Sequence, residues 1–205
     1  MPFQNRVDPF GTIHAISARG LFMGNRGGKI HDPATKSLLK RRFASRQWIA
    51  CVTEFRGRHR DVMGNSYTEL FFLDEATAFA AGHRPCAECR RSDFKRFCAA
   101  VSPGFGGLPR ADAIDRKLHA ERMAERPALD SETCGRLPDG AIVAAVGQPF
   151  ARFGPAALPW SFNGYGTAVK WKQVCAQNPV LLTPQTNIAA LQNGYTPVWH
   201  ATARA

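Results

Sequence analysis

Apolar and polar positions alternate over several short stretches of this chain, and each stretch predicts a strand, because residues two apart share one face of a sheet. Residues 10–24 read as one or two short strands broken at Gly20. Trp48 to Phe55 and Asp61 to Leu73 are rich in β-branched and aromatic residues. They flank the turn Arg56-Gly57-Arg58-His59, so they predict a hairpin. Residues 34–43 form a basic helical turn or a loop. Helical patterning takes over at 75–81, 87–100, 111–126, where Pro127 stops it, and 184–192. Between them Pro103-Gly-Phe-Gly-Gly-Leu-Pro109 is a connector. From Ala141 the pattern returns to strands, in Ala141–Val146, Gln148–Phe153, Leu158–Phe162 and Val180–Leu182. The expected class is α+β with a β-rich C-terminal half. The expected segments are a basic strand and loop region at 1–46, a ββα module at 47–100, a connector and helix at 101–137, and the β-rich region at 138–205.

With 205 residues, 44% of them hydrophobic, the chain is long enough to bury a sizeable core. No apolar run approaches the ~20 residues that span a bilayer, and Met1-Pro-Phe-Gln-Asn-Arg6 lacks the apolar stretch of a signal peptide. The expected location is the cytoplasm. Six cysteines, at 51, 86, 89, 98, 134 and 175, are then read as thiols and metal ligands rather than as a disulfide framework.

The most informative segment runs from Leu70 to Arg91: an apolar strand (Leu70–Leu73), an alanine-rich helix, a Gly82-His83-Arg84-Pro85 stop, and then Cys86-Ala-Glu-Cys89. Gly82 suits the left-handed residue that ends a helix, and Pro85 fixes the backbone before the cysteines. Two thiolates at this spacing reach one metal ion, and a following helix N-terminus favours the thiolate form. The alternative is that both cysteines are small buried residues without a metal. Phe71, Phe72, Glu75, Ala76, Ala81, Gly82, Arg84, Pro85, Cys86, Cys89 and Arg90 give residues 47–97 a pattern that resembles the zinc-binding N-terminal module of the Ada alkylation-repair family. The resemblance implies a zinc ion on Cys86 and Cys89, with His59 at the position of a further ligand. A fourth ligand would come from Cys51, His83, Cys98 or solvent. Phe55 stands near the position of the family's methyl-accepting cysteine, so alkyl transfer is not expected here.

Charge points to a polyanion. The net charge is +11, and residues 1–62 contribute +8 of it, from 12 Lys/Arg against 4 Asp/Glu. Basic residues neutralise phosphates and release condensed counterions, so nucleic acid is the expected partner, DNA rather than RNA on the strength of the resemblance. The expected contacts are Arg19, Arg26, Lys29, Arg56, Arg58, Arg60, Arg84 and Arg90. A basic surface serving solubility alone is the plainer reading.

Two other constellations suggest chemistry. In Gly24-Asn-Arg-Gly-Gly-Lys-Ile-His-Asp32, three glycines free backbone amides for an anion while Arg26 and Lys29 add charge; a tight turn explains the same residues. His31 and Asp32 adjoin it as acid-base groups. Asp115, His119 and Arg122 lie at i, i+4 and i+7, so they share one helical stripe in which Asp115 orients His119 and Arg122 engages a phosphate. Either set would make the protein an enzyme on a nucleic-acid or nucleotide substrate, a nuclease or base-releasing hydrolase, instead of a binding protein.

Overall fold

Two sheets meet on one short helix in the computed structural model, which describes residues 1–59 and 61–205. The first sheet uses β1 (Gln4–Val7), β2 (Ile13–Ala15), β3 (Phe22–Arg26), β6 (Trp48–Val52), β7 (Leu70–Phe72) and β8 (Arg84–Pro85), in the order β2-β1-β7-β3-β6-β8. A small separate hairpin, β4 (His31–Asp32) and β5 (Ser37–Leu38), occupies part of the basic loop region. The second sheet uses β9 (Ile142–Ala145), β10 (Gln148–Phe153), β11 (Ala156–Ser161), β12 (Gly164–Tyr165), β13 (Val169–Lys170) and β14 (Val180–Leu181). Its order is β12-β11-β10-β9-β14, with β13 also paired to β11. The α+β class and the β-rich C-terminal half are therefore present.

The hairpin expected between 48–55 and 61–73 does not form. Strand β3 lies between β6 and β7, so Met23 is opposite both Cys51 and Phe71. A two-stranded ribbon buries too little apolar surface to stand alone, and three strands sharing an inner face bury more. Gly24 is also not part of a glycine-rich anion-binding loop: it is inside β3, where a Cβ would meet the Ile49 carbonyl oxygen at 2.2 Å.

Alternation divides the first sheet cleanly. Phe22, Ala50, Leu70 and Phe72 point inward and pack with Val7, Ala78 and Ala81. Met23, Asn25, Ile49, Cys51 and Phe71 fall on the opposite face by the period of two.

Helix α1 (Glu75–Ala80) is buried on every side, which its small alanines allow. Ala76 and Ala80 pack with the second sheet, Ala78 with the first, and Phe79 with three further helices. These are α2 (Arg91–Val101), which runs on into a 3-10 turn at Ser102–Phe105, α3 (Ala111–Met123) and α6 (Gln185–Gln192). Asp74 caps α1 by accepting from the Thr77 backbone N–H at 2.9 Å. Its other oxygen accepts from the Tyr165 hydroxyl at 2.8 Å, and Trp160 Nε1 donates to Thr77 Oγ1 at 2.9 Å, so the second sheet is latched to the same turn.

The expectation of six free thiols fails at two positions. Cys134, in α4 (Ser131–Gly135), and Cys175, in α5 (Trp171–Cys175), form a disulfide with their Cα atoms 5.4 Å apart. The two short helices pack into one core cluster, which brings together cysteines 41 residues apart. Among the described residues no helix is long and apolar enough to cross a membrane.

Candidate metal centre

The thiol cluster follows from strand register. β8 runs parallel to β6, with Ile49 opposite Arg84 and Ala50 opposite Pro85. The next residues on each strand are Cys51 and Cys86, and the Cys86 N–H donates to the Ala50 carbonyl at 2.9 Å. The chain then turns through Ala87 and Glu88 to Cys89. The Sγ atoms of Cys51, Cys86 and Cys89 consequently lie within 4.8 Å of one another. Thiolates on one tetrahedral zinc ion at ~2.3 Å sit roughly 3.8 Å apart, so this donor set needs only a small contraction to close on a metal.

The sequence pointed to Cys86 and Cys89, and the structure brings them together. The third member is Cys51, which the sequence offers only as a source of the fourth ligand. His59 is exposed and does not join the cluster. His83 lies on the other side of the sheet, in an edge-to-face contact with inward-facing Phe72, ring centroids 4.6 Å apart. Cys98 is buried in the helical core, where burial pushes its thiol up.

The protonation pattern of the trio already favours a thiolate. Hydrogen bonds from Cys51 and Cys89, helped by the backbone N–H groups of Cys89 and Glu88, bring the Cys86 thiol down to about 2. Cys51, the donor in this arrangement, is pushed up by its bonds to Cys86 and Cys89. Behind the cluster, Arg90 is buried and holds Glu75 at 2.7 Å, while Glu75 also accepts from the Tyr195 hydroxyl at 2.7 Å. The turn after Cys89 is thereby tied to α1 and to the C-terminal segment.

A cavity of about 210 Å³ opens on the outer face of the sheet above the trio. Its walls include Met23, Asn25, Ile49, Phe55, Glu69 and Phe71, and the three cysteines reach it too. Glu69 is only 2% exposed. Its Oε2 accepts from the Met63 N–H at 2.8 Å, and its Oε1 is buried without a partner. At the rim Arg58 pairs with Glu88 at 2.9 Å, and Arg56 and Arg58 lie 4.9 and 5.3 Å from the centre of the Phe55 ring. Neither Glu69 nor Asn25 stood out in the sequence, where an isolated Glu and an isolated Asn carry no motif.

The other expected site residues are held elsewhere. Both oxygens of Asp115 accept from Arg84, at 2.8 and 2.7 Å, in a buried pair, so Asp115 does not orient His119. His119 instead meets the edge of Phe43, and desolvation, with Arg122 and Arg46 nearby, lowers its pKa. Arg122 donates to the carbonyls of Gly82 (2.7 Å) and Arg46 (3.0 Å) and lies 4.3 Å over Trp48. It crosses Gly82 so closely that a Cβ there would meet its Cδ at 2.5 Å; with φ at +82°, only glycine suits this stop. His31 is buried between Thr68 Oγ1 (2.5 Å) and the Gly64 carbonyl (2.8 Å), and Asp32 caps the Ala34 N–H at 2.9 Å, so they form no acid-base pair.

Among the expected nucleic-acid contacts, Arg26, Arg84 and Arg90 are interior. Arg26 donates to the Gly11 carbonyl at 2.6 Å and lies 4.1 Å over Trp48; burial, reinforced by Arg42 and Arg122, brings its pKa down to about 9. The reason is that strand β3 turns Arg26 onto the inner face. Arg19, Arg56 and Arg58 are exposed and Lys29 is half-buried, whereas Arg60 lies outside the described residues. In comparisons with known proteins the chain matches no family model, no curated protein and no solved structure.

Proposed function

We propose that this chain is a zinc-thiolate protein that binds nucleic acid, DNA in preference to RNA, in the repair, modification-sensing or defence setting that its Ada-like segment suggests. The observation that carries the reading is the convergence of Cys51, Cys86 and Cys89 within 4.8 Å, from a strand and a turn that share one register. Three sulfur donors suit zinc, and a structural ion here would hold β6 to the turn entering α2.

The nucleic-acid part rests on charge. Arg19, Lys40, Arg41, Arg42, Arg46 and Arg56 are all exposed, and no ion pair joins any of them to a carboxylate of the described residues. They are free to neutralise phosphates. Alkyl transfer does not belong to this reading, because Phe55 and not a cysteine stands near the family's acceptor position. The test is elemental analysis of protein purified without chelator, followed by fluorescence anisotropy with labelled DNA and RNA across a salt series. One zinc per chain and a salt-sensitive preference for DNA are expected. Metal-free protein removes the first half of the reading, and salt-independent or absent binding removes the second.

A further inference from the structure

The chemistry of the cavity is more specific than that of a structural metal site. Glu69 Oε1 is buried with no hydrogen-bond partner, although its carboxylate is fixed from the other side by the Met63 N–H. A buried carboxylate oxygen left without a donor is costly, so the fold has kept an acceptor for a donor from outside the chain, a water or a ligand. Asn25 is beside it: extending the β3–β7 register from Met23–Phe71 and Gly24–Leu70 sets Asn25 opposite Glu69. Asn25 Oδ1 accepts from the Gly27 N–H at 2.9 Å, which leaves its amide NH2 as a donor. An acceptor and a donor therefore stand side by side on neighbouring strands.

Much of the remaining wall is apolar. Phe55, Phe71, Ile49, Met23 and Val62 line the cavity, and Arg6 backs the Phe71 ring at 4.8 Å. A volume of about 210 Å³ is below the ~300 Å³ at which drug-sized sites begin, so the cavity takes a single ring system and leaves any attached sugar and phosphate outside. Arg58 lines the cavity beside Phe55, and Arg56 lies over the same ring.

We propose that this cavity binds one nucleobase-class heterocycle, its edge N–H donating to Glu69 Oε1, its neighbouring acceptor taking the Asn25 amide, and its face against Phe55 and Phe71. An Asn amide and a carboxylate both read base edges in this way. The inference rests on the nucleic-acid reading in one respect: in a polymer, the base would have to leave its stack to enter.

The test uses the 205-residue chain as purified without chelator and calorimetric titration with adenine, cytosine and uracil, with 1,3-dimethyluracil as a ring of similar shape that has lost its N–H groups. At least one of the three bases is expected to bind with sub-millimolar Kd, and dimethyluracil not to bind. Glu69→Gln should weaken binding about tenfold or more with zinc content unchanged, since a hydrogen bond to a charged acceptor is lost. Phe55→Ala, at a half-buried position outside any helix or strand, should weaken it several-fold and decides the matter if Glu69→Gln does not fold. The proposal is overturned if no base binds below millimolar concentration, if dimethyluracil binds as well as uracil, or if folded variants bind like the parent. Base binding without DNA binding would support the cavity and remove the nucleic-acid reading. DNA binding unaffected by Phe55→Ala, with no free-base binding, would do the reverse.

Discussion

The two faces of the first sheet are built from the same three strands and differ in almost everything else. Inward, Phe22, Ala50, Leu70 and Phe72 close against helix α1 and are buried. Outward, Cys51, Asn25 and Glu69 stand around an open cavity with sulfur, amide and carboxylate groups not all satisfied by the chain. The fate of the cysteines follows the same division. Cys134 and Cys175 are joined inside the core of the C-terminal half, while Cys51, Cys86 and Cys89 remain thiols at the floor of the cavity. Groups that a fold satisfies internally serve its stability, and those it leaves convergent and unsatisfied are where a ligand fits.

The largest effect expected from breaking this contrast is on metal content. Cys51→Ser, Cys86→Ser and Cys89→Ser should each take zinc from about one per chain to near zero by elemental analysis, while His59→Ala leaves it unchanged. Loss of zinc in His59→Ala together with retention in Cys51→Ser would restore His59 as the third ligand. Next, Asp115→Ala should cost about 3–5 kcal/mol of stability, since it leaves the Arg84 charge buried alone. Chemical denaturation measures this, and a loss below 1 kcal/mol would mean that Asp115 is not committed to Arg84.

Replacing Cys134 and Cys175 together by serine should cost about 2–4 kcal/mol, because the bridge closes a loop across 41 residues, and zinc binding should persist. Loss of zinc in that double variant would show that the two halves are not separable. A smaller effect concerns salt. If about four to six phosphates are contacted, log K should fall against log salt with a slope of roughly −3 to −5. Arg41→Ala with Arg42→Ala should flatten that slope by about 2, because both side chains are exposed, whereas buried Arg26 contributes none.

The smallest effect is on pH dependence. His83 is fully buried, and burial together with the charges of Arg26 and Arg122 holds its pKa well below 6.5. The unfolded chain therefore takes up a proton that the folded chain refuses. Stability is fully present above pH 6.5 and declines as pH falls below it, by at most about 1.4 kcal/mol per unit. Asp74 and Glu75, whose pKa values burial raises, act in the opposite sense, so the comparison is with His83→Phe, in which the decline between pH 6.5 and 5 should shrink. Parallel curves for the two proteins would show that His83 is charged in the fold.

Local sequence determined the parts that depend on near neighbours. The helices at 75–80 and 185–192, the glycine stop at Gly82 and the Cys-x2-Cys turn were legible because capping, periodicity and turn chemistry act over a few residues. The excess of basic residues in the first third was legible for the same reason, since it is only a count. Tertiary structure decided the rest. Cys51 became a partner of Cys86 because two distant strands pair in parallel, and β3 displaced the hairpin because three strands share an inner face. Asp115 left the helical stripe of His119 for Arg84, and Arg26 turned inward, because each strand or helix face is assigned by packing partners that spacing along the chain does not name. Glu69 acquired its meaning last. A carboxylate is ordinary in sequence and becomes a site only where burial removes water and leaves one oxygen without a donor.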